Sequence, residues 1–263
     1  MSDEILATRS ACCQGIAAAG GRRQRAAGGR VHDRLGSVRE PDLSADVVTA
    51  IEGVRGRLRV VHELDASTTA LVVIDMQNFF VEPGAALEVA AARDIVPNIN
   101  RLASAMRDSG GTVAWIRMTF EPDELSTTWT AFLPVNGGSD GAATFTAIER
   151  DAPGHRLWEP LELDERDLVV DKHRFSALIQ GSSNLQELLD ERGIDTLVIV
   201  GTLTNVCCES TARDAMMLNY RVIMVDDANA TITQAAHRAS LDNVAMFFGD
   251  VQTTEQVVAM LEP

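Results

Sequence analysis

Cysteine is scarce in this chain, and its arrangement argues against two common kinds of structural site. The 263 residues include four cysteines, which form two adjacent pairs at Cys12-Cys13 and Cys207-Cys208. Neighbouring cysteines seldom pair with each other, and four are too few for the disulfide scaffold of a chain this long. No two cysteines are separated by two residues, so the sequence does not support a zinc ribbon.

Long apolar stretches and a leader segment are missing as well. No apolar run approaches the ~20 residues that a membrane helix needs. The N-terminal residues include acids where an export signal carries bases, and no apolar segment follows Arg22-Arg23. These features predict a cytoplasmic protein without a membrane partner.

Basic residues are outnumbered by acidic ones. The chain has 38 Asp and Glu against 23 Lys and Arg, which gives a formal charge of -15. Because nucleic acid would repel such a chain, we do not expect it as a partner. The hydrophobic fraction of 46% is ordinary for a soluble globular protein, and the length suffices for one α/β domain.

Composition divides the chain into two parts. Residues 1–40 are rich in Ala, Gly and Arg and are predicted to form a poorly ordered extension. The arginines in this part could instead form a docking arm. Residues 41–263 are predicted to form the folded domain, and a short helix over Leu43 to Val54 could pack on it.

Short apolar runs alternate with helical patterns from residue 65 onward. This alternation is typical of βαβ units, which form a doubly wound, mainly parallel sheet with helices on both faces, a three-layer α/β sandwich. Capping boxes are predicted at Ser183 with Gln186 and at Thr253 with Gln256. Strands are predicted at 70–75, 112–118, 167–172, 196–201, 221–228 and near Val251, and longer helices at 88–108, 206–219 and 233–246.

One long segment breaks the alternation. Residues 119–165 are rich in Pro and Gly and are predicted to form a loop-rich insertion. In a compact enzyme such an insertion usually shapes a pocket.

Three reactive side chains follow predicted strands. Asp75, Lys172 and Cys207 each lie at, or just past, the carboxyl end of a strand, which is where ligands bind in open parallel sheets. Taken singly, each has an ordinary explanation: a turn carboxylate, a solvated lysine or a small core thiol. Their coincidence at one edge of one sheet favours a shared site.

The chemistry of the three groups is complementary. Cys207 is predicted to lie where a strand turns into a helix, and the partial positive charge of a helix start is expected to lower the pKa of its thiol. The N–H groups of that turn could hold an oxyanion. A buried Asp75 with a raised pKa could accept the thiol proton, and its titration would then be coupled to that of Lys172 and Cys207.

Four segments carry a resemblance to a known family. The runs VVIDMQNFF, DKHRFSA, VGTLTNVCCESTARDA and RVIMVDDANA resemble the isochorismatase-like cysteine hydrolases, and within them the ureidoacrylate amidohydrolase and carbamoyl-amidase branch. The resemblance covers about residues 68–261. It implies hydrolysis of the C–N bond of a small amide, carbamoyl or ureido substrate through an acyl-thioenzyme. It also implies a homo-oligomer, either a dimer or a tetramer.

The same resemblance implies roles for individual residues. Cys207, rather than Cys208, would be the nucleophile. Asp75 would be the proton shuttle, and Lys172 would stabilise the charged pair. A cis peptide bond would join Thr202 and Leu203, and the backbone N–H groups of Leu203 and Cys207 would bind the oxyanion.

The sequence also departs from parts of the family. Nicotinamidases hold a metal with an Asp-x-His pattern and a further His, whereas the residues directly after Asp75, MQNFFVEP, include no His. We therefore expect no metal and no cofactor. Isochorismatases that cleave a vinyl ether lack the cysteine, so Cys207 favours C–N hydrolysis. The five histidines are at positions with no ligand spacing, namely His32, His62, His155, His173 and His237.

Several assignments stay open at this level. An ether hydrolase that uses Asp75 without covalent catalysis is one alternative, and a silent family member that acts as a binding module is another. Glu209, Arg213 and Asp214 are interpreted as structural pairs. Candidate substrate-binding residues lie on loops near the strand ends and could equally be ordinary packing residues: Asn78, Phe79, Phe120, Trp129 and Phe175.

Overall fold

The computed structural model describes residues 39–261 of the chain. The expectation of a poorly ordered extension over residues 1–40 falls almost entirely outside this range and stays a prediction. No helix within the described residues is long and apolar enough to cross a bilayer.

A six-stranded sheet forms the centre of the described part, in the order β3-β2-β1-β4-β5-β6 with every neighbouring pair parallel. The order reverses between β1 and β4, which makes the carboxyl ends of these two strands the switch point of the sheet. This topology confirms the predicted α/β fold class. The strands are β1 Thr69–Ile74, β2 Thr112–Met118, β3 Leu168–Lys172, β4 Thr196–Thr202, β5 Arg221–Ala230 and β6 Asp250–Gln252.

The two central strands explain why the sequence shows continuous apolar runs rather than alternation. Every residue of β1 and every residue of β4 is buried. A parallel strand covered by helices on both faces has no solvent side, so apolar or small residues occupy successive positions.

Helices pack against the sheet in two groups. α3 packs on β1 and β2 and against α9, while α7 and α8 both contact β5. Because the crossover from β1 to β2 runs opposite to that from β4 to β5, right-handed connections place α3 and α7 on opposite faces. The helices are α1 Ala45–Arg55, α2 Asn78–Val81, α3 Val96–Asp108, α4 Glu124–Thr127, α5 Phe132–Asn136, α6 Leu185–Asp190, α7 Glu209–Met217, α8 Gln234–Asn243 and α9 Thr254–Leu261.

The predicted helix ends are partly wrong. The single helix over 88–108 is a short 3-10 turn, Ala90–Ala92, followed by α3, which begins at Val96 with Pro97 in its first turn. Proline suits that position because the first N–H groups of a helix have no intrahelical partner. The helices predicted at 206–219 and 233–246 are each part α-helix and part π-helical turn.

One of the two predicted capping boxes forms. The Thr253 N–H donates to Gln256 Oε1 at 3.0 Å, and the Gln256 N–H donates back to Thr253 Oγ1 at 3.4 Å. The box predicted at Ser183 is wrong, because Ser183 Oγ donates to the Ala177 carbonyl and accepts from Leu185 N–H. The hydroxyl thus caps the helix at Leu185, but the reciprocal bond from Gln186 that would complete a box does not form.

The insertion over 119–165 is loop-rich, as predicted, and contains only short helical segments in the described structure. Gln77, just after β1, connects this insertion to the sheet. Its Nε2 donates to the Met118 carbonyl at 3.0 Å and to the His155 carbonyl at 2.9 Å, and its Oε1 accepts from Met118 N–H at 2.8 Å. One buried amide therefore joins the ends of β1 and β2 to the insertion.

Candidate active site

Asp75, Lys172 and Cys207 meet at the carboxyl end of the sheet. Asp75 directly follows β1, Lys172 ends β3, and Cys207 lies in a π-helical turn, Thr204–Cys208, after β4. Lys172 Nζ lies 2.9 Å from Asp75 Oδ2 and 3.4 Å from Cys207 Sγ. Asp75 and Lys172 are fully buried, and Cys207 is 2% exposed.

Asp75 is held by its backbone rather than by side-chain hydrogen bonds. Its φ angle is +53°, and its N–H donates to the Ile116 carbonyl at 2.9 Å. Within the described residues, neither carboxylate oxygen accepts a well-directed hydrogen bond, although Oδ2 forms the short ion pair with Lys172. The carboxylate thus keeps capacity to accept a proton or another donor.

The polar neighbours of the Lys172 ammonium belong to the protein. Its ammonium contacts Asp75, Cys207 Sγ and the Arg174 carbonyl, the last at 3.1 Å. A lysine ammonium has three N–H donors. The ammonium is therefore enclosed by groups of the protein itself.

Burial and charge set the protonation of Asp75 and Lys172. Burial raises the pKa of Asp75, and the opposing effect of Lys172 does not cancel it. Burial by itself would lower the pKa of Lys172, but the adjacent Asp75 and Cys207 outweigh burial, so the pKa is raised. A raised carboxyl pKa suits a group that must exchange a proton with a thiol.

The expectation of a lowered pKa for Cys207 is wrong. Burial raises the pKa of this thiol, and the negative charge of Asp75 raises it further, while Lys172 acts in the opposite direction. The partial charge of a helix start falls off within a turn and competes here with full desolvation. The resting nucleophile candidate is therefore a neutral thiol.

The turn that carries Cys207 begins with a cis peptide bond between Thr202 and Leu203. The Leu203 carbonyl accepts from Val206 N–H at 3.1 Å and from Cys208 N–H at 3.2 Å. The Leu203 N–H has no acceptor among the described residues, so it is free to bind a ligand oxygen. Free N–H groups beside a nucleophile are what an oxyanion site requires.

A network of buried hydrogen bonds holds this turn in place. Thr204 Oγ1 lies 2.9 Å from His237 Nδ1, and His237 Nε2 lies 3.1 Å from Asp226 Oδ1. Ser240 Oγ donates to the Thr204 carbonyl at 3.1 Å. Sequence reasoning identified His237 as a poor metal ligand but did not connect it to Thr204. Nothing local signals the link, because the two residues lie 33 positions apart.

A cavity of about 370 Å³ opens above the sulfur of Cys207. Phe79, Phe120 and Phe175 line it, together with Leu203. Further lining residues that sequence reasoning missed include Phe80, Phe132, Phe145, Ile148, Val206 and Ile232. Two more open grooves, of about 560 and 890 Å³, contain none of the three reactive side chains.

Two of the candidate substrate-binding residues do not line this cavity. Asn78 Nδ2 instead donates to the Pro153 carbonyl at 3.1 Å. Trp129 lies behind the lining, with its ring centroid 4.6 Å from that of Phe132 and 5.0 Å from that of Phe175. Both side chains support the cavity wall rather than form its surface.

Metal ligands are not grouped anywhere in the described part of the chain: no three His, Cys, Asp or Glu side chains there could hold one ion. The absence of a metal stays a prediction. Of the structural pairs expected near the nucleophile, Glu209 and Arg213 form an ion pair at 2.5 Å.

Comparison with known proteins identifies the family. The model of the isochorismatase domain matches residues 69–256. The chain belongs to the isochorismatase family. This membership confirms the resemblance seen in the sequence.

Relatives within the family carry related names. The ureidoacrylate amidohydrolase RutB of Variovorax paradoxus (strain S110) is 33% identical over 215 residues, which cover 76% of this chain and 84% of the relative. A cysteine hydrolase structure from Pseudomonas syringae pv. phaseolicola 1448A has a TM-score of 0.70 at 32% identity and covers 77% of this chain and 96% of that one. N-carbamoylsarcosine amidase from Thermoplasma acidophilum has a TM-score of 0.57 at 26% identity and covers 72% of this chain and 97% of that one.

Proposed function

We propose that this isochorismatase-family protein is a cysteine hydrolase that cleaves the C–N bond of a small amide, carbamoyl or ureido compound through an acyl-thioenzyme. The observation that carries the proposal is the contact of Lys172 Nζ with both Asp75 and Cys207 Sγ, next to a cavity that Cys207 lines. The names of the relatives, an amidohydrolase and an amidase among them, support the same bond type.

The first step needs a base and a site for negative charge. Asp75 takes the proton of Cys207 while the sulfur attacks the carbonyl carbon, so a C–S bond forms and the carbonyl electrons move to oxygen. The backbone N–H groups of Leu203 and Cys207 donate to that oxyanion. Lys172 remains protonated, and its positive charge compensates the negative charge on Asp75 or on Cys207, whichever is deprotonated.

The later steps return the same proton. The oxyanion collapses, the C–N bond breaks, and Asp75 gives its proton to the leaving nitrogen. Asp75 then takes a proton from water as the water oxygen attacks the thioester. The C–S bond breaks, the acid product leaves, and the proton returns to the sulfur of Cys207.

The adjacent cysteines supply a matched test. Replacing Cys207 by Ala should lower turnover by at least about 10³-fold, since the covalent route is lost. Replacing Cys208 by Ala should preserve most activity, because its sulfur lies 4.0 Å from the Val200 carbonyl and away from the cavity lining. The measurement is ammonia release over ureido acids, carbamoyl amino acids and simple aromatic amides. Full activity in the Cys207 variant would refute the nucleophile assignment.

Assembly and location complete the proposal. The family resemblance implies a homo-dimer or homo-tetramer, which light scattering after size-exclusion chromatography would measure; a monomer at micromolar concentration would contradict it. The cytoplasmic location stays a prediction.

A further inference from the structure

We infer that the acyl part of the substrate is uncharged and apolar, an aryl or alkyl group without a carboxylate. This inference rests on the proposed function and narrows its substrate class. It is carried by the side chains that surround the sulfur of Cys207.

Phenylalanine dominates the cavity surface. Aromatic residues make up 5% of the chain, yet six of its eight phenylalanines line this one cavity: Phe79, Phe80, Phe120, Phe132, Phe145 and Phe175. Their rings contact one another in edge-to-face or tilted pairs, such as Phe132 with Phe145 at 4.8 Å between centroids. Rings packed in this way form a continuous apolar wall that favours an aryl or alkyl group.

No cationic side chain lines the cavity within the described residues. The polar side chains of its lining are Glu88, Asn136 and Cys207. Glu88 accepts hydrogen bonds from Gly84 N–H at 2.8 Å and from Arg93 at 2.7 Å. These bonds, above all the one from Gly84, hold the pKa of Glu88 below its usual value. The one ionised group of the lining is therefore an anion.

The nearby cations are already engaged. Lys172 is fully buried, forms an ion pair with Asp75, and donates to Cys207 Sγ and to the Arg174 carbonyl. The Arg174 guanidinium donates to Glu124 at 2.8 Å and to the Thr128 carbonyl at 3.1 Å, and it lies over the Trp129 ring. A substrate carboxylate would lose its water in the cavity without gaining a cation, which is strongly unfavourable.

A matched series of amides separates charge from size. Benzamide, 4-acetylbenzamide and 4-carbamoylbenzoate share one ring and one amide, and the acetyl and carboxylate substituents have similar shapes. Ammonia release by the full chain should give a kcat/KM for 4-acetylbenzamide at least about 100-fold above that for 4-carbamoylbenzoate, because the buried charge lacks a partner. Butanamide, 4-oxopentanamide and succinamate repeat the comparison without the ring.

Calorimetry of the same compounds binding to the Cys207→Ala variant measures affinity without turnover, which separates the inference from the proposed function. Turnover of 4-carbamoylbenzoate or succinamate equal to that of the neutral partner overturns the inference but leaves the proposed function intact. If the wild-type protein hydrolyses no amide, carbamoyl or ureido compound, the proposed function fails. The inference is then decided by calorimetry alone: it requires the neutral compound of each pair to bind the Cys207→Ala variant more tightly than the charged one.

A cationic side chain introduced into the cavity lining should shift the substrate preference toward the charged amide. Asn136 is exposed at the cavity, so Asn136→Arg can be accommodated, with Asn136→Gln as the control for side-chain length. We expect the ratio of kcat/KM for 4-carbamoylbenzoate over 4-acetylbenzamide to rise by about 10-fold in the arginine variant, the effect of one charge-assisted hydrogen bond. An unchanged ratio in a variant that unfolds at the wild-type temperature contradicts the inference.

Discussion

A single buried lysine balances two acids at the centre of the site. Lys172 contacts both Asp75 and Cys207, and burial raises the pKa of both acids. One cation can compensate one anion, so Asp75 and Cys207 compete for the negative charge. A proton can therefore pass between them without changing the net charge of the buried site.

This competition predicts opposite effects of two substitutions on the thiol. Asp75→Asn should lower the pKa of Cys207, because the charge that raises it is lost while Lys172 remains. The same variant should lose turnover by at least about 10³-fold, since the proposed proton acceptor is gone. Lys172→Met should raise the pKa of Cys207 further.

The rate of iodoacetamide alkylation as a function of pH measures this shift, because the thiolate is the reacting species. Cys208→Ala serves as the background protein, so that one buried thiol is followed. Identical titration curves for the wild-type, Asp75→Asn and Lys172→Met proteins would contradict the account of shared charge.

At the scale of secondary structure, the approach of β4 to β1 places the reactive turn. Gly201 has a φ angle of +114°, and a Cβ atom at this position would lie 2.1 Å from the Ile74 carbonyl oxygen. Ile74 precedes Asp75, and Gly201 precedes the turn that carries Cys207. The strand ends can come this close only because Gly201 has no side chain.

Gly201→Ala should therefore lower the free energy of unfolding by about 2–4 kcal/mol, from backbone strain together with overpacking. It should also reduce turnover, since Asp75 and Cys207 would move apart. The control is Gly110→Ala, at a φ of +83° with open space around the added Cβ, which should cost about 1 kcal/mol. Equal losses in the two variants by urea unfolding would show that the close approach is unimportant.

The elements differ in how far the sequence predicts them. The strands could be predicted because burial on both faces imposes continuous apolar runs, as in β1 and β4. The capping box at Ser183 could not, since its hydroxyl accepts from Leu185 N–H and donates to the Ala177 carbonyl, without the reciprocal bond from Gln186. The residue types of a box do not by themselves fix which of its hydrogen bonds form.

At the scale of the molecule, the insertion over 119–165 closes the site and joins it to the sheet. His155 is buried within it, with Nε2 at 2.7 Å from Thr119 Oγ1. Burial lowers the pKa of His155, and Arg117 lowers it further. The folded protein thus holds this histidine neutral at a pH where the unfolded chain begins to protonate.

The sign of the resulting pH dependence follows from linkage. Below an unfolded pKa of about 6.5, the unfolded chain binds a proton that the folded protein does not. This part of the stability is therefore present above that pH and is lost as the pH falls toward the lower pKa of folded His155. Urea unfolding between pH 8 and pH 5 should show the loss, and His155→Gln should reduce it. If the free energy of unfolding of the His155→Gln variant depends on pH as steeply as that of the wild-type protein, the effect belongs to other groups.

The cavity marks the limit of what the sequence could predict about the site. Because Asp75, Lys172 and Cys207 each follow a predicted parallel strand, the sequence predicted them at one edge of the sheet, and they lie together there in the structure. Phe132 and Phe145 could not be identified as lining residues, because their positions depend on how the irregular insertion folds back. The raised pKa of Cys207 depends on depth of burial, which no local pattern encodes.

The most direct test of the account is to detect the acyl-thioenzyme. The full chain would be mixed with a hydrolysed amide, quenched in acid within one turnover, and analysed by intact mass and by fragmentation of the peptide that contains both adjacent cysteines. The account predicts a mass increase equal to the acyl group on Cys207, absent from the Cys207→Ala variant. An unmodified Cys207 during steady turnover, or an adduct confined to Cys208, would contradict it.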